Sequence, residues 1–347
     1  LIGDLFAVES LGEQAIKGLP AAVPVFRVTG ERQAESRFEA RHAGSVAPMV
    51  GRDLELALLL ERWERAKEGE GQAVLLTGEP GIGKSRIAAA LLDAVASEAD
   101  GGTPPLVLRY QTSPQQGDSP LWPVRRQLTL AAELEPLADD ETKLRRLEDF
   151  LNATSPVSAQ TLALVAELLD IETTTPLPAM SATRRRERII EVLTERLLAL
   201  ARKSPVLLLF EDLHWIDPSS LELVDRLIAQ TADARVMLLA TSRPEDEPRL
   251  AGHAHLTRMS LSRLGRAAAA AVIKRLIRDR QITDELVQTI LERTDGVPLY
   301  LEEMTQAILE TGGAAAGVPA SLYDSLMARL DRQGDAKEIA QLAACIG

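Results

Sequence analysis

Residues 73–85 read Ala73-Val74-Leu75-Leu76-Thr77-Gly78-Glu79-Pro80-Gly81-Ile82-Gly83-Lys84-Ser85. A short apolar run suited to a buried strand leads into a loop with three glycines, and a Lys-Ser pair opens an apolar-periodic helix to about Ala96. Strand, glycine-rich turn and helix N-terminus in this order make a phosphate-binding loop, or P-loop: backbone N–H groups point at an anion and the helix dipole favours negative charge. Gly78, Gly81 and Gly83 let the loop wrap a phosphate without Cβ clashes. Glu79, Pro80 and Ile82 complete the loop, and Arg86 follows it. Lys84 supplies a point charge between β- and γ-phosphates, and Ser85 a hydroxyl ligand for Mg²⁺. The expected ligands are ATP or ADP with magnesium. A glycine turn that merely caps a helix would need neither the preceding strand nor the Lys-Ser pair.

Further along, Val206-Leu207-Leu208-Leu209-Phe210 ends in Glu211-Asp212. An apolar strand ending in two carboxylates puts them at the carboxyl edge of a parallel sheet, where α/β folds bind ligands. One carboxylate would hold Mg²⁺, the other would orient and activate the attacking water. Register makes Glu211 the metal-side residue and Asp212 the water-side residue. The metal-side residue is usually Asp, so the reverse assignment stays open. His214 would touch phosphate or water, or satisfy the turn. Asp217-Pro218 reads as a helix start, with Asp as N-cap and Pro at the first position. A third strand, Val236–Ala240, runs into Thr241-Ser242-Arg243. Arg243 could sense a γ-phosphate with its bidentate fork, or sit in a surface turn.

Short apolar strands (73–77, 106–110, 206–210, 236–240) alternate with helical patterns, which predicts a parallel sheet covered on both faces. Leu54 to Trp63 is an amphipathic helix, and residues 119–201 are mostly helical. Beyond Leu261 the patterns are helical: 262–280, 283–293, 299–311 and 319–332. Residues 31–47 are polar and read as a linker, and Val23–Val28 as a strand. The 347 residues carry 46% hydrophobic residues and a net charge of −12, enough for two or three compact units. An acidic chain argues against a nucleic-acid surface, which needs a basic face. One cysteine, Cys345, allows neither an intrachain disulfide nor a cysteine metal cluster. No apolar run reaches membrane-spanning length and no leader pattern opens the chain, so the expected location is the cytoplasm. The start at Leu1, without methionine, and the stop after an apolar helical run read as a piece of a longer protein.

Residues 48–347 resemble the signal-transduction ATPases with numerous domains (STAND), a branch of the AAA+-like P-loop NTPases. The matching residues are Val50-Gly51-Arg52, the P-loop, Glu211-Asp212-Leu213-His214-Trp215, Thr241-Ser242-Arg243 and Gly296-Val297-Pro298-Leu299. The resemblance implies that Val50 and Arg52 lie by the adenine and that Pro298, in a helical lid, packs on adenine or sugar. Pro298 equally fits a plain interhelical turn, because Gly296 permits a left-handed residue and Pro suits a first helical turn. Val318-Pro319-Ala320-Ser321-Leu322 to Asp331 looks like the family's lead-in to a winged helix.

Within residues 1–30, Leu5-Phe6, Leu11-Gly12, Ile16-Lys17-Gly18 and Val25-Phe26-Arg27-Val28 resemble the last strands of a class III adenylate/guanylate cyclase domain. Most of such a domain, its metal-binding aspartates included, is missing, so this chain is not expected to cyclise ATP. The expected division is a cyclase remnant at 1–30, a linker at 31–47, an α/β P-loop NTPase domain at 48–252, an all-α lid at 253–315 and the start of a winged-helix domain at 316–347.

Three functions compete: a slow regulatory ATPase switch, the regulatory half of a nucleotide cyclase, and a DNA-bound AAA+ loader that the acidic charge disfavours. A P-loop kinase would need an arginine-rich substrate lid. The expected partners are ATP and other domains of a parent chain, with nucleotide-dependent oligomers admitted and no membrane.

Overall fold

The computed structural model describes residues 6–14, 23–31, 49–97, 104–277 and 282–310. The chain divides into two compact units, Leu1–Pro48 and Met49–Gly347. In the first, strand β1 (Phe6–Gln14) pairs antiparallel with β2 (Val23–Glu31), with Phe6 opposite Glu31 and Gln14 opposite Val23. The expected strand from Val23 is there and runs on to Glu31. Ile16-Lys17-Gly18, residues 32–47 of the expected linker, and all of the expected winged-helix lead-in lie outside the described residues.

The second unit opens with α1 (Asp53–Lys67), followed by β3 (Gln72–Thr77), α2 (Lys84–Ser97) and β4 (Leu106–Gln111). Four helices come next: α3 (Trp122–Ala131), α4 (Asp140–Thr154), α5 (Ala159–Leu168) and α6 (Ala182–Lys203). Then β5 (Val206–Glu211), α7 (Pro218–Gln230), β6 (Val236–Ser242) and β7 (Leu256–Ser260) complete the sheet. Side-chain caps explain where several helices begin: Asp139, Ser158 and Ser181 accept from the backbone N–H of Thr142, Thr161 and Arg184.

The five strands lie in the order β4-β5-β6-β3-β7, every pair parallel. Alternation along the central strands sorts side chains between two cores. Leu75, Leu208, Phe210 and Leu238 face a core shared with α3–α7. Val74, Leu76, Leu207, Leu209 and Leu239 face one shared with α1 and α2, where Trp63 and Leu91 are fully buried. This is the expected α/β sheet with helices on both faces.

The sequence pattern suggested no strand after 240, yet Leu256–Ser260 pairs with β3 along its length. It is an edge strand whose five residues include a single buried one. An edge strand with little burial carries no apolar run to betray it. The sheet therefore continues past residue 252.

Among the described residues three helices follow: α8 (Arg266–Ile277), α9 (Asp284–Thr294), capped by Thr283, and α10 (Pro298–Glu310). They pack around Ile273, Ile290, Leu301 and Ile308 in a core of their own. The helical pattern from 262 in fact starts at Arg266, and residues 261–265 form an irregular connector.

Candidate functional site

The phosphate loop leaves β3 at Thr77 and enters α2 at Lys84. Gly83 has φ +104°, a region L side chains rarely adopt, although a Cβ there would meet nothing within 4 Å; the backbone conformation, not crowding, requires glycine. Gly81 is required twice over: φ is +77° and a Cβ would come within 2.8 Å of Leu299 Cβ on α10. Lys84 is buried, and its ammonium donates to the carbonyls of Gly78 (2.6 Å) and Glu79 (3.1 Å). Burial lowers its pKa; the nearby Asp212 carboxylate opposes the shift and Arg243 adds to it.

Glu211, the last residue of β5, is buried. Asp212 stands in the left-handed region (φ 61°, ψ 46°) and starts the one-turn 3₁₀ helix Leu213–Trp215. Asp tolerates this conformation better than most residues, and such strain clusters at functional sites. Two threonines pin it, one just after β4 and one in β6. Thr241 Oγ1 accepts from the Asp212 N–H (3.0 Å), and Thr112 Oγ1 donates to the carbonyls of Asp212 (2.5 Å) and Glu211 (3.0 Å). Sequence reasoning passed over Thr112; the available signal was a hydroxyl directly after an apolar strand.

His214 stacks at a tilt on Trp215, with centroids 4.3 Å apart. Neither ring nitrogen of His214 has a hydrogen-bond partner among the described residues. Burial lowers its pKa, Asp212 raises it, and Arg243 and Lys84 lower it further. Arg243 lies over the Trp215 ring, 5.3 Å from its centroid. Lys84, Asp212, His214 and Arg243 thus act electrostatically on one another where β3, β5 and β6 end. Asp217 takes the capping role: buried, its Oδ1 accepts from the N–H groups of Ser219, Ser220 and, across the fold, Leu121.

The other expected residues lie near this loop and the helices α8–α10. Arg52 is buried, with its guanidinium on Glu55 (3.0 Å), the Ile82 carbonyl (3.2 Å) and the Ser262 carbonyl (2.5 Å). Its neighbour Val50 is half-buried, and a Cβ on Gly51 would strike Ala268 of α8 at 2.6 Å. Arg86 pairs with Glu302 of α10 at 3.5 Å. Pro298 occupies the first position of α10, and the next N–H, from Leu299, donates to Gly81 of the phosphate loop (3.1 Å). Gly296, at φ +74°, accepts through its carbonyl from the Leu264 N–H (2.9 Å). Arg263, which sequence reasoning did not select, pairs with Glu79 of the loop (3.0 Å) and with Asp295 before α10. Ser85, half-buried at the start of α2, completes the set. The residues fit a bound nucleotide and Mg²⁺: the loop backbone is open over Gly83, a lysine stands at the helix start, and a hydroxyl and a buried carboxylate supply hard oxygen donors.

A glycine loop between strand and helix, with an acidic strand end two strands away in one parallel sheet, defines a P-loop nucleotide-binding fold. Residues 48–239 match the AAA ATPase domain model, more than half of the chain, and the chain belongs to that family. An uncharacterised protein of Rhizobium meliloti (strain 1021) is 26% identical over 367 residues, covering all of this chain and 34% of that protein. The chain thus spans about a third of the length of the curated relative it matches.

Among solved structures, a STAND protein with a tetratricopeptide repeat sensor from Pyrococcus horikoshii is 17% identical, with a TM-score of 0.40 over 76% of this chain and 30% of that one. The Aeropyrum pernix ORC1 protein in complex with DNA is 14% identical, with a TM-score of 0.47 over 82% and 66%. What those proteins bind is a property of those proteins.

Proposed function

We propose that this chain binds ATP with Mg²⁺ at Gly78–Ser85, hydrolyses it slowly, and passes the state of the phosphate loop to the helices α8–α10 as a regulatory switch. The observation that carries this reading is the glycine loop between β3 and α2, with Lys84 buried at the helix start and the Glu211-Asp212 strand end in the same parallel sheet. The loop N–H groups and Lys84 bind the phosphates, the lysine exchanging the carbonyls of Gly78 and Glu79 for phosphate oxygens. The Ser85 hydroxyl and one of the two carboxylates, Glu211 by register, would hold Mg²⁺, which would supply positive charge to the phosphates. Asp212 takes the proton of the attacking water, and Arg243 contacts the γ-phosphate. Val50, Arg52 and Pro298 border the base and sugar.

The test is calorimetry of Mg-ATP binding together with phosphate release. Lys84→Ala removes charge-assisted contacts worth about 1.5–3 kcal/mol, so affinity falls about tenfold to a hundredfold. Unchanged affinity would remove the loop from nucleotide binding.

The finer reading attaches the switch to a class III nucleotide cyclase in a cytoplasmic multidomain protein. It is supported by the motifs between Leu5 and Val28 and is compatible with the antiparallel pairing of β1 and β2. A cyclase assay on a longer protein carrying this segment, with and without Lys84→Ala, tests it.

A further inference from the structure

The Arg243 guanidinium makes no hydrogen bond and no ion pair among the described residues, and its one described contact is the Trp215 ring, 5.3 Å from the centroid. A carboxylate partner would neutralise the guanidinium and occupy its donors. An aromatic face fixes it electrostatically and leaves all five N–H groups unused. The same ring lies at a tilt against His214, and the two nitrogens of that imidazole are buried with no hydrogen-bond partner among the described residues. The backbone carrying Trp215 is anchored: its main-chain N–H donates to the Asp212 carbonyl (3.0 Å), which Thr112 also holds. The ring touches both His214, in the turn after β5, and Arg243, which follows β6.

We propose that Trp215 is a positioning residue that aims Arg243 at the terminal phosphate and so sets the preference for ATP over ADP. The inference rests on the nucleotide reading above and adds how its selectivity is built. A platform that consumes no donors suits a group that must bind a strongly charged oxyanion in one state and be unpaired in the other. ADP binding does not need it, because the contacts of the loop and Lys84 to the β-phosphate stay the same.

The experiment measures Mg-ATP and Mg-ADP affinities by calorimetry for the intact chain, Trp215→Leu, Trp215→Phe, Arg243→Ala and the double variant Trp215→Leu/Arg243→Ala. Trp215→Leu should lower the ATP-to-ADP preference about three- to tenfold, in line with a cation–π contact that becomes desolvated. ADP affinity should stay within about twofold. Trp215→Phe should restore most of the preference, because it returns a π face. The double variant should lose no more than Arg243→Ala alone, since both changes remove one interaction. Trp215→Met, bulky but without a π face, replaces the leucine variant if circular dichroism shows that variant to be unfolded.

Loss of ATP and ADP affinity in equal measure, or an undiminished preference in Trp215→Leu, overturns the proposal while Arg243→Ala keeps the nucleotide reading standing. An unchanged preference in Arg243→Ala overturns the role of Arg243, and the platform with it.

Discussion

Asp212 shows how one residue's backbone and side chain serve different ends. Its left-handed conformation turns the chain out of β5 into the 3₁₀ turn that carries His214 and Trp215, and Thr112 and Thr241 hold it there. A substitution that changes both the carboxylate and the backbone preference would confound chemistry with folding. Asn adopts the left-handed region about as readily as Asp, so Asp212→Asn isolates the chemistry. The expected outcome is ATP binding within about twofold of the intact chain and turnover reduced about a hundredfold or more, the usual loss of a general base. Single-turnover phosphate release beside calorimetry separates the two. If Glu211→Gln instead abolishes turnover and spares Mg²⁺-dependent binding, the two carboxylates exchange roles. Turnover retained in both variants removes the pair from the chemistry.

At the scale of elements, the parts that could be read in the sequence are those whose signal is local. β3, β5 and β6 are unbroken apolar runs because both faces of a central parallel strand are covered, and the glycines and Lys84-Ser85 mark the β3–α2 turn within eight residues. Asp217 and Pro218 announced α7 by local capping chemistry. β7 stayed hidden because an edge strand with one buried residue needs no apolar run, and Arg263, Thr112 and the Trp215–Arg243 pair because each joins residues far apart in the chain. Even Asp217 held something the sequence did not disclose. Besides the first turn of α7, it accepts from Leu121, itself a buried left-handed residue just before α3. One carboxylate thus ties together the starts of two helices. Asp217→Ala should cost about 2–4 kcal/mol, a lost N-cap plus an N–H left buried and unpaired. Asp217→Asn, which keeps the accepting oxygen, should recover most of it. Chemical denaturation midpoints decide; a loss under about 0.5 kcal/mol would mean that water replaces the cap.

Across the whole second unit, four residues of the phosphate loop and its helix are joined to the segment 262–302: Glu79 through Arg263, Gly81 to Leu299, Ile82 through Arg52 to Ser262, and Arg86 to Glu302. These links differ in physical kind. Arg52 is buried and shared between two carbonyls, so its contribution resists salt. Arg263 is exposed; two of its nitrogens donate to both Glu79 oxygens and the third pairs with Asp295, all in contact with water. Exposed pairs add little to global stability and fade as ionic strength rises. Arg263 should therefore leave the unfolding midpoint nearly unchanged when replaced, yet still influence a local equilibrium between lid positions, where a small bias suffices. Under the proposed reading, Arg263→Ala frees Asp295 and the start of α10 from Glu79, and bound nucleotide leaves faster. Release of a fluorescent ADP analogue, followed by stopped flow, should speed up severalfold at low salt. At about 1 M salt, where the Debye length is about 3 Å, the variant and the intact chain should converge, because the intact chain has then lost the same attraction. Equal rates at low salt would show that the bridge does not hold the lid. A difference that survives high salt would assign Arg263 a packing role through its aliphatic stem rather than an ionic one.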